Sequence, residues 1–231
     1  MNTRNQIIAF FLILLLTAGT WLAVSSLQDE DDNGTDEGYT SLDQESMSLQ
    51  IEVMPFEEPD ENETQGLVFM REEEKLAHDV YLALYERWGT SIFSNIADSE
   101  ATHTSAVKLL LDRYNITDPF VEETGVFSNE TLQQLYDQLV EQGNQSLEAA
   151  LEVGAVIEEI DIIDIQHFLE DVDNQDIIFV YENLLMGSRN HLRSFVSNLE
   201  KRDIDYEPQY LSTELFDSII GSEMENNSHR K

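Results

Sequence analysis

The chain of 231 residues contains no cysteine. Disulfides, zinc–thiolate sites, iron–sulfur clusters and a lipid-modified N-terminal cysteine are therefore excluded. Any metal site in this protein must use oxygen and nitrogen donors, which leaves carboxylates and imidazoles as the main candidates.

Basic side chains are also scarce. Twelve lysines and arginines stand against 47 aspartates and glutamates, and the formal net charge is −35. Nucleic acid is excluded as a partner, because phosphate binding requires clustered cationic side chains. This charge favours a highly soluble surface and attracts cations to it.

One long apolar run, residues 7–24, follows Arg4 and precedes four acidic residues at 29–32. About 18 residues is the lower limit for a membrane span. The flanking charges place the N-terminus inside the cell and the bulk of the chain outside. We expect residues 1–25 to form a membrane anchor, so that the protein is single-pass in the cell membrane. The alternative is a signal peptide, with the protein secreted after cleavage.

Residues 26–63 are acidic and poor in large apolar side chains, which predicts a disordered stalk extended by its own charges. The last segment, 203–231, is also acidic but keeps several aromatic and aliphatic residues. We expect this tail to pack in part against the domain that precedes it.

Between these segments the apolar residues recur with helical periodicity, and no strand pattern occurs. The predicted long helices cover about residues 65–88, 92–114, 146–172 and 174–201, and an extra short helix at about 129–142 lies between the second and the third. The two-residue connection at Gly89 and Thr90 makes the first two helices antiparallel neighbours. The sequence thus predicts an all-α four-helix bundle over residues 64–202.

Polar residues interrupt the apolar faces of these helices. Glu100 and His103 are three residues apart and project from one face of the second helix. A buried carboxylate and a buried imidazole are costly without a partner, and a metal ion between helices offsets that cost. The other predicted inward ligands are Glu73, Glu158, Asp161 and His191. Their donor types suit two ions of iron or manganese.

The order of these residues is that of di-iron and di-manganese bundles, in which two helices give a Glu and two give Glu-x-x-His. One position departs from it, because Ser188 stands three residues before His191. Asp161 could supply the replacement carboxylate, or it could hydrogen-bond a ligating imidazole. Glu159 is the alternative to Glu158 if the register differs. For Glu73 the register is also open, since residues 72–74 are all glutamate. We assign His78, His167 and His229 to the surface.

Five segments, residues 70–85, 92–97, 99–103, 154–161 and 187–193, resemble the domain-of-unknown-function family 2202. The resemblance covers roughly residues 64–200. It implies a ferritin-like, rubrerythrin-related bundle, with Glu73, Glu100, His103, Glu158 and His191 on ligand positions. The family has no assigned activity. Its rubrerythrin-type relatives imply the oxidation of ferrous iron or the reduction of peroxide at a di-iron centre.

Two functions follow as expectations. The first is an exported, membrane-anchored ferritin-like protein with a di-iron or di-manganese carboxylate centre. It would oxidise ferrous iron, or would reduce dioxygen or peroxide with electrons from an external donor. The second is a non-catalytic binding or structural module with one metal ion or none, which Ser188 favours. A homodimer is compatible with either, whereas a closed storage shell fits poorly with a membrane anchor.

Overall fold

The computed structural model describes residues 44–226, and this range contains seven α-helices and no strands. This confirms the all-α prediction. The helices are α1 Gln44–Val53, α2 Glu61–Trp88, α3 Ser91–Arg113, α4 Glu130–Gly143, α5 Leu147–Leu169, α6 Gln175–Glu200 and α7 Thr213–Ile220. The predicted membrane segment at residues 1–25 and His229 lie outside the described range. Within that range, no helix has the length and apolar character needed to cross a membrane.

The four long helices pack in a closed ring. Helix α2 contacts α3, α3 contacts α6, α6 contacts α5, and α5 contacts α2. Between them lies a core of aliphatic and aromatic side chains that includes the fully buried Tyr81, Phe93, Tyr181 and Phe195. The short helix α4 packs against α2 and α5. The interior of this ring is where all four long helices can contribute side chains to one site.

Helix α2 is delimited by specific capping interactions. At its start, Asp60 and Glu63 form a capping box, in which each side chain accepts the other's backbone N–H at 2.9 Å. The apolar pattern predicted a start near residue 65, one turn too late, because that pattern begins after the cap. At its end, Gly89 adopts a left-handed conformation, φ 69°, and donates its N–H to the carbonyl of Tyr85. This sharp end turns the chain directly into α3.

Helix α1 lies inside the segment 26–63, which composition predicted to be a disordered stalk. The structure differs there because this ten-residue helix packs against α3 and buries Met47 and Ile51. Leu49 and Val53 on the same helix remain exposed. Two buried apolar side chains in an acidic stretch give little periodic signal, which is why the pattern was not recognised.

The C-terminal segment after α6 is attached through one buried carboxylate. Glu159 of α5 accepts the Tyr206 hydroxyl at 2.6 Å and the backbone N–H groups of Gln209, Tyr210 and Leu211 at 2.7–3.1 Å. Helix α7 then packs against α6. Glu159 therefore serves the tail, and it faces away from its neighbour Glu158, which turns into the core.

The loop between α3 and α4 is held by charged side chains of α2. Arg71 binds the Asp118 carboxylate at 3.0 Å and Lys75 donates to two backbone carbonyls of the loop at 3.2 and 3.3 Å. Glu72 accepts the backbone N–H of Ser128 at 2.5 Å. All three side chains are almost fully buried. This loop consequently determines which face of α2 its polar residues present to the core.

Candidate metal centre

Glu100 of α3 lies at the centre of the buried polar cluster. Its Oε2 is 2.7 Å from Nδ1 of His103, one turn further along the same helix. Its Oε1 is 2.8 Å from Nδ1 of His191, which comes from α6. The two imidazole rings stack with centroids 5.6 Å apart and an angle of 29° between their planes. One carboxylate thus bridges two imidazoles, using one oxygen for each.

Each imidazole also faces a second carboxylate. Nδ1 of His103 is 3.3 Å from Glu74 Oε2, and Nδ1 of His191 is 3.4 Å from Glu158 Oε2. Two triads result, Glu74–Glu100–His103 and Glu100–Glu158–His191, and within each the three ligand atoms lie within 4.8 Å of one another. Every member is at most 6% exposed. The four long helices each contribute to the pair of triads.

The structure places Glu74, and not Glu73, beside His103. Successive residues of an α-helix are about 100° apart around the axis, so one position changes which helix a side chain faces. Glu73 is also buried, but its carboxyl group faces Asp164 of α5. The predicted ligand Glu73 therefore lies outside both triads, and Glu74 takes the position beside His103.

Asp161 lies next to the triads. It accepts a hydrogen bond from the Ser188 hydroxyl, and its Oδ1 has no hydrogen-bond partner. Its charge interacts with those of Glu74, Glu158 and Glu100. The α5 carboxylate thus occupies the place opposite Ser188, where the di-metal pattern would have a carboxylate from α6.

Three neighbours of the triads were not predicted from the sequence. The Tyr81 hydroxyl donates to Glu158 Oε1 at 2.5 Å, and the partly exposed Ser99 lies 3.0 Å from Nε2 of His191. Gly187 packs against the ring of His103, where a Cβ atom would come within 2.5 Å of Nε2 and Cε1. Tyr81 and Gly187 carried no signal beyond core packing, whereas Ser99 directly precedes Glu100.

The electrostatics of the cluster follow from burial and mutual contact. Burial raises the pKa of Glu74 to about 8, and burial together with the charge of Glu74 raises the pKa of Asp161 well above its usual value. Burial opposes the charged form of His191, but the carboxylates of Glu100 and Glu158 raise its pKa to about 9. For Glu100 the cost of burial is outweighed by the two imidazoles, which lower its pKa.

Three other buried acids accept hydrogen bonds from backbone amides. Glu63 accepts the N–H groups of Asp173 and Asn174, and Glu72 and Glu159 accept those of the loop and the tail. In contrast, Glu74 Oε1, Asp161 Oδ1 and His103 Nε2 are buried without a hydrogen-bond partner. His191 Nδ1 is near Glu100 but not aligned for a hydrogen bond with it.

The donor set fits a hard or borderline divalent cation. Four carboxylates and two imidazoles converge in the core, and buried groups of this kind are paired or bind metals. The imidazoles present Nδ1 to the carboxylates, and iron and manganese accept such mixed oxygen and nitrogen ligands. Glu100 could serve two ions at once, since each of its oxygens belongs to a different triad.

Known proteins are similar to this chain in sequence and in fold. The uncharacterized protein MJ0754 of Methanocaldococcus jannaschii is 51% identical over 181 residues, which span 78% of this chain and 98% of that protein. A crystal structure of the hypothetical protein MJ0754 from Methanococcus jannaschii DSM 2661 matches with a TM-score of 0.73 at 52% identity. The matched region covers 74% of this chain and 99% of the chain in that crystal structure. The model of an uncharacterized protein domain, DUF2202, matches residues 63–223. This chain therefore belongs to the DUF2202 family.

Proposed function

We propose that the domain is a ferritin-like four-helix bundle that binds two iron or manganese ions and uses them in redox chemistry. The observation that carries the proposal is Glu100, whose two oxygens lie 2.7 and 2.8 Å from the Nδ1 atoms of two stacked histidines. A single carboxylate shared by two triads is the arrangement expected of a two-ion centre.

The residues would divide between the two ions. Glu74 and His103 would hold one, and Glu158 and His191 the other, with Glu100 shared. Asp161 is the candidate for a second shared carboxylate, because Ser188 directs its hydroxyl to it. Ferrous iron, if bound there, would be oxidised to ferric iron and would supply the electrons that reduce dioxygen or peroxide.

The surrounding side chains would prepare the centre for that chemistry. The four long helices exclude bulk water from ligands that are at most 6% exposed. Tyr81 fixes the orientation of Glu158 through its hydrogen bond, so that the other carboxylate oxygen faces His191. His191 contacts the partly exposed Ser99. We propose that small oxidants reach the ions from this side.

A second function, that of a non-catalytic module with one structural ion, is favoured by Ser188. A carboxylate from α6 is missing there, and the ligand set is correspondingly smaller. The chain also has no cysteine, so it has no iron–sulfur module of its own to deliver electrons. Under the redox proposal, reducing equivalents come from an external donor or from ferrous iron.

The cellular setting is part of the proposal. We infer from the apolar run at residues 7–24 that the domain lies outside the cytoplasm, attached to the cell membrane or released after cleavage. A homodimer is one assembly that this arrangement allows.

Metal content tests the proposal. The full chain is purified from cells grown with iron and manganese and analysed by elemental mass spectrometry, beside Glu100→Gln and the control Glu159→Gln. The control removes a buried carboxylate that is held by backbone N–H groups of the C-terminal segment and lies outside both triads. We expect two ions per chain in the wild type and in Glu159→Gln, and fewer than one in Glu100→Gln.

Two other outcomes decide between the functions. One ion per chain, with no oxidation of ferrous iron by dioxygen or peroxide, would establish the structural module instead. A folded wild-type protein that binds neither iron nor manganese would refute the metal centre altogether.

A further inference from the structure

Ligand-type residues continue along α5 beyond the candidate centre. Glu158, Asp161, Asp164 and His167 follow one another at intervals of three residues. Each step of three lags the helical repeat by about 60°, so the line turns by about 180° over nine residues and rises about 13 Å. It begins at Glu158, which is 1% exposed, and ends at His167, whose side chain is 51% exposed. The line therefore leads from the core to the surface.

Glu73 of α2 meets this line at Asp164. The two carboxyl groups face each other closely enough to interact electrostatically, and the charge of Asp161 also acts on Glu73. Glu73 is 6% exposed and Asp164 is 3% exposed. One oxygen of each, Glu73 Oε2 and Asp164 Oδ2, is buried without a hydrogen-bond partner, as is Asp161 Oδ1. Unpartnered buried carboxylate oxygens are costly, which sets this pair apart from the acids held by backbone amides.

The neighbouring cations of α2 do not compensate this pair. Arg71 is bound to Asp118 and to the carbonyl of Thr104, and Lys75 is bound to Asp79 and to carbonyls of the loop between α3 and α4. At the surface end of the line, His167 is within electrostatic range of Asp164. A divalent cation would bring the charge and the coordination that the two carboxylates lack.

We propose that Glu73 and Asp164 form a loading position for divalent cations, which pass from the surface at His167 to the triads by way of Asp161. The inference rests on the proposed metal centre, whose ligands lie in the core between the four long helices. Glu73 and Glu74 are consecutive, and the proposal gives each a reason to be buried. Glu74 faces the triad and Glu73 faces the route.

The rate of cobalt loading tests this proposal. Co²⁺ is added to the metal-free full chain, and its visible absorption in a mixed nitrogen and oxygen site is followed by stopped flow. The test variant is Glu73→Gln with Asp164→Asn. The control is Glu148→Gln with Glu152→Gln, which removes two negative charges from the first turns of α5, away from the route. Equilibrium dialysis gives the number of Co²⁺ ions bound at saturation.

We expect the test variant to load about tenfold more slowly or worse, since a focused negative site raises cation on-rates by at least that factor. It should bind the same number of Co²⁺ ions at saturation, and the control should load like the wild type. His167→Ala, a surface change, should slow loading to a smaller extent.

Each other result overturns the proposal. Loading at the wild-type rate in the test variant would exclude the route, while the metal centre would stand. Loss of a bound Co²⁺ at saturation would make Glu73 or Asp164 a ligand of the centre rather than a loading position. A wild-type chain that binds no Co²⁺, iron or manganese would refute the metal centre and the route together.

Discussion

Replacing Gly187 by alanine would place a methyl group against the imidazole of His103. The added Cβ would lie 2.5 Å from Nε2 and Cε1 of that ring, whereas ordinary contact begins at 3.4 Å. The ring or helix α6 must therefore move by about 0.9 Å. Because Nδ1 of the same ring faces Glu74 and Glu100, the movement shifts a candidate ligand atom relative to both carboxylates.

The two consequences of this substitution differ in size. Overpacking of this kind costs about 1–3 kcal/mol of folding stability. Alanine returns about 1 kcal/mol through its higher helix propensity, so the net loss is about 0–2 kcal/mol. Metal affinity should fall further, by about 10–100-fold, the loss typical when groups that orient ligands are changed.

The assay is a Mn²⁺ titration followed by electron paramagnetic resonance of the free ion, with urea unfolding of the metal-free protein in parallel. Gly143→Ala is the matched control, because its Cβ would lie equally close, 2.5 Å, to a methyl group of Leu84 away from the triads. We expect the control to lose stability and keep its Mn²⁺ affinity. Wild-type affinity in Gly187→Ala would refute the assignment of His103 as a ligand.

Three further outcomes are expected. The metal-free protein should lose thermal stability as pH rises. His191 stabilises the folded protein below pH 6.5, and this stabilisation is lost as the pH rises to about 9. The buried carboxyl group of Glu74 becomes charged only at higher pH, so it costs stability as the pH rises from 4.5 to about 8. A melting temperature that rises over that range would contradict these assignments. Tyr81→Phe should cost about 1–3 kcal/mol in urea unfolding, because it removes a buried donor to a carboxylate, and an unchanged midpoint would argue against that bond. Glu159→Gln should speed hydrogen exchange at residues 209–211 and leave metal content unchanged, and equal exchange would show that the tail is held otherwise.

Helical geometry explains which parts of the cluster could be foreseen. Glu100 and His103 are one turn apart on a well-formed helix, so their shared direction follows from sequence spacing alone. Glu158 and His191 lie on helices with clear apolar faces, and the structure brings both to Glu100. Their role as metal ligands stays a prediction until metal binding is measured.

The choice between Glu73 and Glu74 could not be made from local pattern. Three consecutive glutamates leave the register open, and the structure buries all three. The register is fixed by distant contacts, in which Glu72 accepts the N–H of Ser128 and Arg71 binds Asp118. Helix α1 was missed for a related reason, because its two buried residues are covered by α3, which is distant in the sequence.

The sharing of Glu100 couples the two triads thermodynamically. If one ion changes the affinity of the protein for the other by some factor, the second must change the affinity for the first by the same factor. The two ions would then bind with positive or negative cooperativity. The population of chains that hold one ion would measure that coupling energy directly. A substitution confined to one triad, such as Glu74→Gln, should also alter binding at the other, which keeps all of its own side chains.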